Sequence, residues 1–495
     1  MRTRDPDPRR AQGSATPMSE QLRTVFERES RHVIEQRIES AKQPLMRDSH
    51  VTELYYTHVI DIPVRPPWSY DEDKSSLEQR ERSYFKQWLA EIYQKYPAER
   101  LNYFEHNLEV WRQLWRVMEL SDVLLLLVDV RHPLVHFSPA LYYHVTRQQH
   151  KHVIVVLTKC DLVAAELVNK WRNYFTRHVP ELRVVAFSSY RTDHVVEEEK
   201  KRQKRKLRYN PDGVGDLWQA IDSLQIKKNG HVVDLGIEAR DQSRDSEEFD
   251  EDSSDEEDAQ SIGNEPEESE SATQSHVSLG LIGHPNVGKS TLINALKGRK
   301  VCSTSRTPGH TKWRQTIYLT PHLLLCDCPG LVFPYLDMPK PLQVLCGIYP
   351  LAQLREPYSA LQYLATRVPV EQLYQLQPIN NEPWSGYHVA QAYAHKRGYM
   401  TKGGNYDTHR AGLELLREVL DGRILMALNP DTAALDLAAA VASLAKPAEE
   451  VKLHTEPEQK QQESSESKES EDESESEESV ELVTNVNNRF AAFDL

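Results

Sequence analysis

The chain has 495 residues, 39% of them apolar, and a formal net charge of −15. That length suits about three domains, and with no apolar run near twenty residues and no leader-like start we expect neither a membrane span nor a secretory signal. Five cysteines (Cys160, Cys302, Cys326, Cys328 and Cys346) lack disulfide or metal-ligand spacing, which points to free thiols in a reducing, intracellular compartment.

Residues 1–19 are rich in Arg, Asp and Pro and are expected to be disordered. A helical amino-terminal region, 20–104, follows: Glu20 to Lys42 is charged and helix-prone, Ile60 to Ser69 carries Pro63, Pro66 and Pro67, and Leu77 to Tyr96 has helical spacing. Asn107 to Leu120 places Leu108, Trp111, Leu114, Trp115 and Met118 on one stripe, which faces a core more often than a partner. Three short apolar runs come next, Val123–Val128, Val153–Leu157 and Val184–Phe187, then a helical stretch Val214–Leu224. Such runs between helices indicate strands of a mostly parallel sheet with helices on both faces.

From Asp241 to Glu270 there are fifteen carboxylates and one cation, Arg244. This composition cannot bury enough apolar surface to offset chain entropy, so 236–276 is expected to be a disordered acidic insert. Val277–Ile282 and His322–Cys326 are the next strands. From Leu342 the pattern is helical, including Leu351–Thr366, His388–Lys396 and His409–Leu420, and 341–448 is taken as a separate helical domain. The segment 449–495 is a second acidic tail. The core α/β domain would thus be split into 105–235 and 277–340.

Gly283-His284-Pro285-Asn286-Val287-Gly288-Lys289-Ser290-Thr291 matches G-x-x-x-x-G-K-[ST] between a strand and a helix. Backbone N–H groups of such a loop wrap phosphates, and the helix N-terminus faces the same anion. Lys289 is placed to neutralise the β and γ phosphates and Ser290 to ligate Mg²⁺. Asp327-Cys328-Pro329-Gly330 lies 38 residues after Lys289; Asp327 can hold a Mg²⁺ water and the Gly330 N–H can reach the γ phosphate. Between them, Thr311 of Pro308-Gly309-His310-Thr311 is the remaining Mg²⁺ candidate. These residues set the expected catalytic group: Lys289, Thr311 and Gly330.

Thr158-Lys159-Cys160-Asp161 has the form of a base reader. Asp161 would accept from the guanine N1–H and exocyclic amine, a donor pair that adenine lacks. Lys159 would lie along the base plane, and Thr158 replaces the commoner Asn. Ser188 and Ser189 would support the base from the next loop. The order is unusual: the base reader lies more than a hundred residues before the phosphate loop.

Together these pieces resemble the circularly permuted GTPases of the ribosome-assembly type, whose motifs run base reader, base support, phosphate loop, switch threonine, D-x-x-G. Val128-Asp129-Val130-Arg131-His132-Pro133-Leu134 resembles their D-A-R-x-P segment. Glu105–Val117 narrows the resemblance to the branch of the cytosolic large-subunit GTPase, with Trp68-Ser69-Tyr70 and Arg131-His132-Pro133 favouring a near relative of that protein. The resemblance spans roughly 20–235 and 277–432. It implies GTP and GDP binding, Mg²⁺-dependent hydrolysis, and work on pre-ribosomal particles or rRNA. The chain departs from the family at Thr158 and in lacking a strongly basic amino terminus.

Leu331 follows Gly330, where many GTPases carry a water-orienting glutamine, so intrinsic turnover should be slow. Asn286 occupies a loop position that holds K⁺ in some related GTPases, and K⁺ stimulation is therefore expected. Lys200–Arg208 carries seven cations in nine positions and suits nuclear localisation or RNA contact, unless the neighbouring Glu197–Glu199 simply neutralises it. Ser253 and Ser254, before Asp255-Glu256-Glu257, have the form of phosphorylation sites. The expected protein is an intracellular monomer of the nucleus or nucleolus, or of the cytoplasm, or shuttling between them, with protein partners through its acidic tails. A guanine-nucleotide-sensing scaffold with little turnover is the alternative, and an ATPase the third.

Overall fold

A computed structural model describes residues 25–26, 29–47, 58–189, 211–228, 230–235, 276–299, 301–302, 315–432 and 436–444. The acidic insert, the basic run 200–208, Ser253, Ser254, Thr311 and the acidic tail lie outside the described residues.

The centre is a six-stranded sheet. Its strands are β1 (Val123–Asp129), β2 (His152–Thr158), β3 (Arg183–Ala186), β4 (Val277–Gly283), β5 (Gln315–Thr320) and β6 (Leu323–Asp327). Their order is β3-β2-β1-β4-β6-β5. All neighbours run parallel except β5, which is antiparallel to β6. The continuous apolar runs are explained by burial on both faces. Val123, Leu125 and Leu127 of β1 join one core with α5 (Val214–Asp222) and α6 (Lys289–Lys297). Leu124, Leu126 and Val128 join the other, beneath α3 (Leu108–Leu120) and α4 (Ala165–His178).

The second core continues into the flanking helices. It takes in Phe85, Trp88 and Ile92 of α2 (Lys74–Lys95), which follows α1 (Arg31–Ser40). It also takes in residues of α7 (Lys340–Leu345), α8 (Tyr358–Ala365), α9 (Gly386–Arg397) and α10 (Thr408–Leu420). The helical segment expected as its own domain therefore shares one apolar core with the sheet. Its closing helix is α11 (Leu437–Ser443).

Two elements differ from expectation. Leu351–Thr366 is not one helix: a 3₁₀ turn, Leu351–Gln353, is separated from α8 by Leu354-Arg355-Glu356-Pro357. Proline lacks the N–H a helix interior needs and biases the preceding residue away from helical geometry, so α8 starts after it. The edge strand β5 was not expected. Its signal is alternation: Leu319 is buried and Tyr318 is 51% exposed. None of the five cysteines forms a disulfide. Among the described residues no helix is long and apolar enough to cross a membrane.

Candidate functional site

The parallel register puts the ends of four strands level: Asp129 pairs with Thr158, Leu127 with Gly283, and Leu281 with Asp327. Open parallel sheets place ligands at this carboxyl edge. The phosphate loop leaves β4 at Gly283 and enters α6 at Lys289. Gly288 has φ of 95° and Asn286 has φ of 60°, left-handed geometry that glycine and asparagine tolerate best. A Cβ on Gly330 would lie 2.7 Å from the Pro285 nitrogen, so the D-x-x-G turn rests on the phosphate loop.

Lys289 Nζ donates to the carbonyls of Gly283 at 2.9 Å and His284 at 2.8 Å. Burial lowers its pKa, an effect that Asp327 opposes. Asp327 is 0% exposed, and neither of its oxygens finds a hydrogen-bond partner among the described residues. Burial pushes its pKa up to about 6, with Lys289 pulling it down. An orphaned buried carboxylate beside a phosphate loop fits a hydrated Mg²⁺. Ser290 and Thr291 are half-buried at the start of α6. Val287 is 1% exposed and packs into the core, so it can offer a nucleotide only its backbone. Leu331 is 0% exposed, which takes its side chain away from any attacking water.

The base reader meets this loop directly. Thr158 Oγ1 is 2.7 Å from the Val287 carbonyl and 3.1 Å from the Val128 carbonyl, and donates between them. Lys159 has φ of 58° and its Nζ lies 2.8 Å from Asp129 Oδ2. Asp161 is half-buried; burial raises its pKa, opposed by its own backbone N–H and that of Ser189. Ser188 is held by a two-way backbone pair with Asp212. The structure thus brings together Thr158, Lys159, Asp161, Ser188, Ser189, Gly283, Asn286, Gly288, Lys289, Ser290, Asp327 and Gly330 at one sheet edge.

Three sets of contacts are not marked by the motifs. Asp129 and Arg131 form a buried ion pair at 2.8 Å; the D-x-R spacing at a strand end was the available signal. His132, His136 and His284 are each 0% exposed, and burial keeps them neutral, His136 at about 4. The His284 ring sits between His136 at 5.4 Å and Phe333 at 5.5 Å, packing the phosphate loop from beneath. Asn286 Nδ2 donates to the Gly347 carbonyl at 3.0 Å, a partner 61 residues away that no local pattern marks.

Residues 278–353 match the 50S ribosome-binding GTPase family. Guanine nucleotide-binding protein-like 1 of Rattus norvegicus is 41% identical over 449 residues, covering 82% of this chain and 72% of its own. The Homo sapiens protein of the same name is 41% identical over 444 residues, with the same coverage. GTPase LSG1-1 of Arabidopsis thaliana is 30% identical over 402 residues, covering 77% of this chain and 69% of its own. Among solved structures, GNP-bound YlqF from T. maritima aligns with 64% of this chain and 96% of its own, at 17% identity and a TM-score of 0.37.

Proposed function

The chain belongs to the guanine nucleotide-binding protein-like 1 family of circularly permuted GTPases, and from that membership we propose a slow Mg²⁺-dependent GTP switch in ribosome assembly. The observation that carries the reading is the 2.7 Å contact between Thr158 and the phosphate-loop carbonyl of Val287. It joins segments 129 residues apart into one pocket. Asp161 and Lys159 take guanine, with Ser188 and Ser189 behind it. The amides of the loop from Gly283 to Thr291 take the phosphates, and Lys289 moves from its two carbonyls onto them. Ser290, Asp327 and Thr311 would hold Mg²⁺, which would neutralise charge developing on the phosphates. The Gly330 N–H meets the γ phosphate.

Turnover without help is expected on the order of 10⁻⁴ to 10⁻² s⁻¹, because Leu331 orients no water. The amide nitrogen of Asn286 is spent on Gly347, and its oxygen is the atom for a K⁺ ion that would supply the second positive charge. The partner class is the pre-ribosomal particle or its rRNA, as the family match suggests.

Single-turnover hydrolysis of radiolabelled GTP, with and without ribosomal subunits and in K⁺ or Na⁺ buffer, tests this. Stimulation by subunits supports the switch, and equal rates in K⁺ and Na⁺ would end the cation role. The burial of Leu331 favours one second reading, a guanine-nucleotide-sensing scaffold in growth or cell-cycle signalling, which binds GTP tightly with no stimulated turnover. Lys289→Ala should abolish nucleotide binding under either reading; retained affinity would refute the phosphate-site assignment.

A further inference from the structure

A buried chain of charges runs from the base reader to the carboxy-terminal helices. Asp129, 1% exposed at the end of β1, accepts three hydrogen bonds and pairs with a second cation. Oδ1 takes the Arg131 backbone N–H and Nε, both at 3.0 Å. Oδ2 takes Arg131 Nη2 at 2.8 Å and forms an ion pair with Lys159 Nζ, also at 2.8 Å. The remaining guanidinium nitrogen, Nη1, donates to the Val419 carbonyl at 2.8 Å, in the last turn of α10. Arg131 itself is 0% exposed, and its own carbonyl accepts from the Leu428 N–H at 2.8 Å. Just past α10, a Cβ on Gly422 would lie 3.0 Å from both methyls of Leu162, the neighbour of Asp161.

A buried ion pair is weak evidence for stability, since apolar residues of equal volume often do as well. It is better explained by the geometry it imposes. Only a planar fork can grip a carboxylate with two nitrogens and leave a third for a carbonyl on another element; an ammonium cannot. A cation at a helix C-terminus also meets the negative end of its dipole.

We propose that Arg131 is a positioning residue for guanine binding. It fixes Asp129, which keeps Lys159 in its left-handed conformation along the base plane, and it fastens this assembly to the end of α10. The proposal rests on the base-reading assignment of Lys159 and Asp161. Guanine affinity then depends on how the carboxy-terminal helices are docked, and by linkage bound nucleotide holds α10 in place. A partner that displaces α10 changes nucleotide release from the base side without touching the phosphates.

The test is nucleotide release from the full chain, followed with fluorescent GDP and IDP. IDP lacks the exocyclic amine that Asp161 reads, whereas Lys159 cannot sense that amine. Arg131→Lys should therefore speed release of both nucleotides by the same factor, about tenfold for one lost charge-assisted bond. A purely structural role would lower the melting temperature and leave release from the folded fraction at the wild-type rate, which overturns the proposal. Equal release of GDP and IDP from the wild-type chain would remove the base-reading assignment instead. If Arg131→Lys loses cooperative unfolding, hydrogen exchange on the wild-type chain decides. GDP must slow exchange of the Gly422 and Arg423 amides, and unchanged exchange there sinks the idea.

Discussion

Asp327 and Lys289 face each other across the end of the sheet, and each is disturbed by the same burial. Asp327 has an ordinary value of 3.8 and is raised to about 6. Its folded value lies above its unfolded one, so the native state holds the proton more tightly. Its stabilising contribution is full below about pH 4 and is lost as pH rises through about 6. Asp327→Asn should therefore raise the melting temperature of the nucleotide-free protein at pH 7.5, by the equivalent of about 3 kcal/mol. That advantage should shrink towards pH 5, and Mg²⁺-dependent nucleotide binding should be lost at every pH. Thermal denaturation across that range, with and without GDP and Mg²⁺, checks all three outcomes. Lys289 and Asp327 were legible in the sequence because their motifs are short and sit at strand ends. Arg131 was not, because its deciding partner, Val419, is 288 residues away.

β4 and α3 are joined by a close approach that fixes the height of the phosphate loop. A Cβ on Gly280 would lie 2.4 Å from Ser121 Oγ, 2.7 Å from Leu124 Cδ2 and 2.9 Å from Val117 Cγ1. The helix sits on this glycine because its own stripe, Trp111, Leu114, Trp115 and Met118, is fully used in the core. Gly280→Val should cost about 1–3 kcal/mol by overpacking, read as a lower urea midpoint with the slope unchanged. The periodicity of α3 and the continuous apolar runs of β1 and β2 made these elements easy to foresee. β5 was harder, because an edge strand alternates weakly and the chain before it carries turn residues. The break before α8 lay in plain view at Pro357 and outweighs the apolar spacing on either side of it.

For the molecule as a whole, the decisive fact is the continuity of the core across the boundary near residue 340. Gln343 of α7 exchanges two hydrogen bonds with the Tyr103 backbone, each 2.9 Å. Arg47 forms a two-nitrogen fork on Glu371 at 2.8 and 2.7 Å. A chain ending at residue 339 would expose the part of the second core that α7, α8, α9 and α10 complete, so it should lose cooperative thermal unfolding and collect in aggregates. A monomeric, cooperatively folding fragment would show that the carboxy-terminal helices are dispensable for the fold. The sequence by itself determined the nucleotide chemistry and the rotated motif order, since each motif is a run of a few residues whose spacing carries its meaning. Only the tertiary structure decided what the base reader leans on. That support comes from Asp129, Arg131 and the end of α10, as the Gly347 carbonyl supports Asn286 of the phosphate loop, contacts between segments far apart in the chain that packing alone brings within bonding distance.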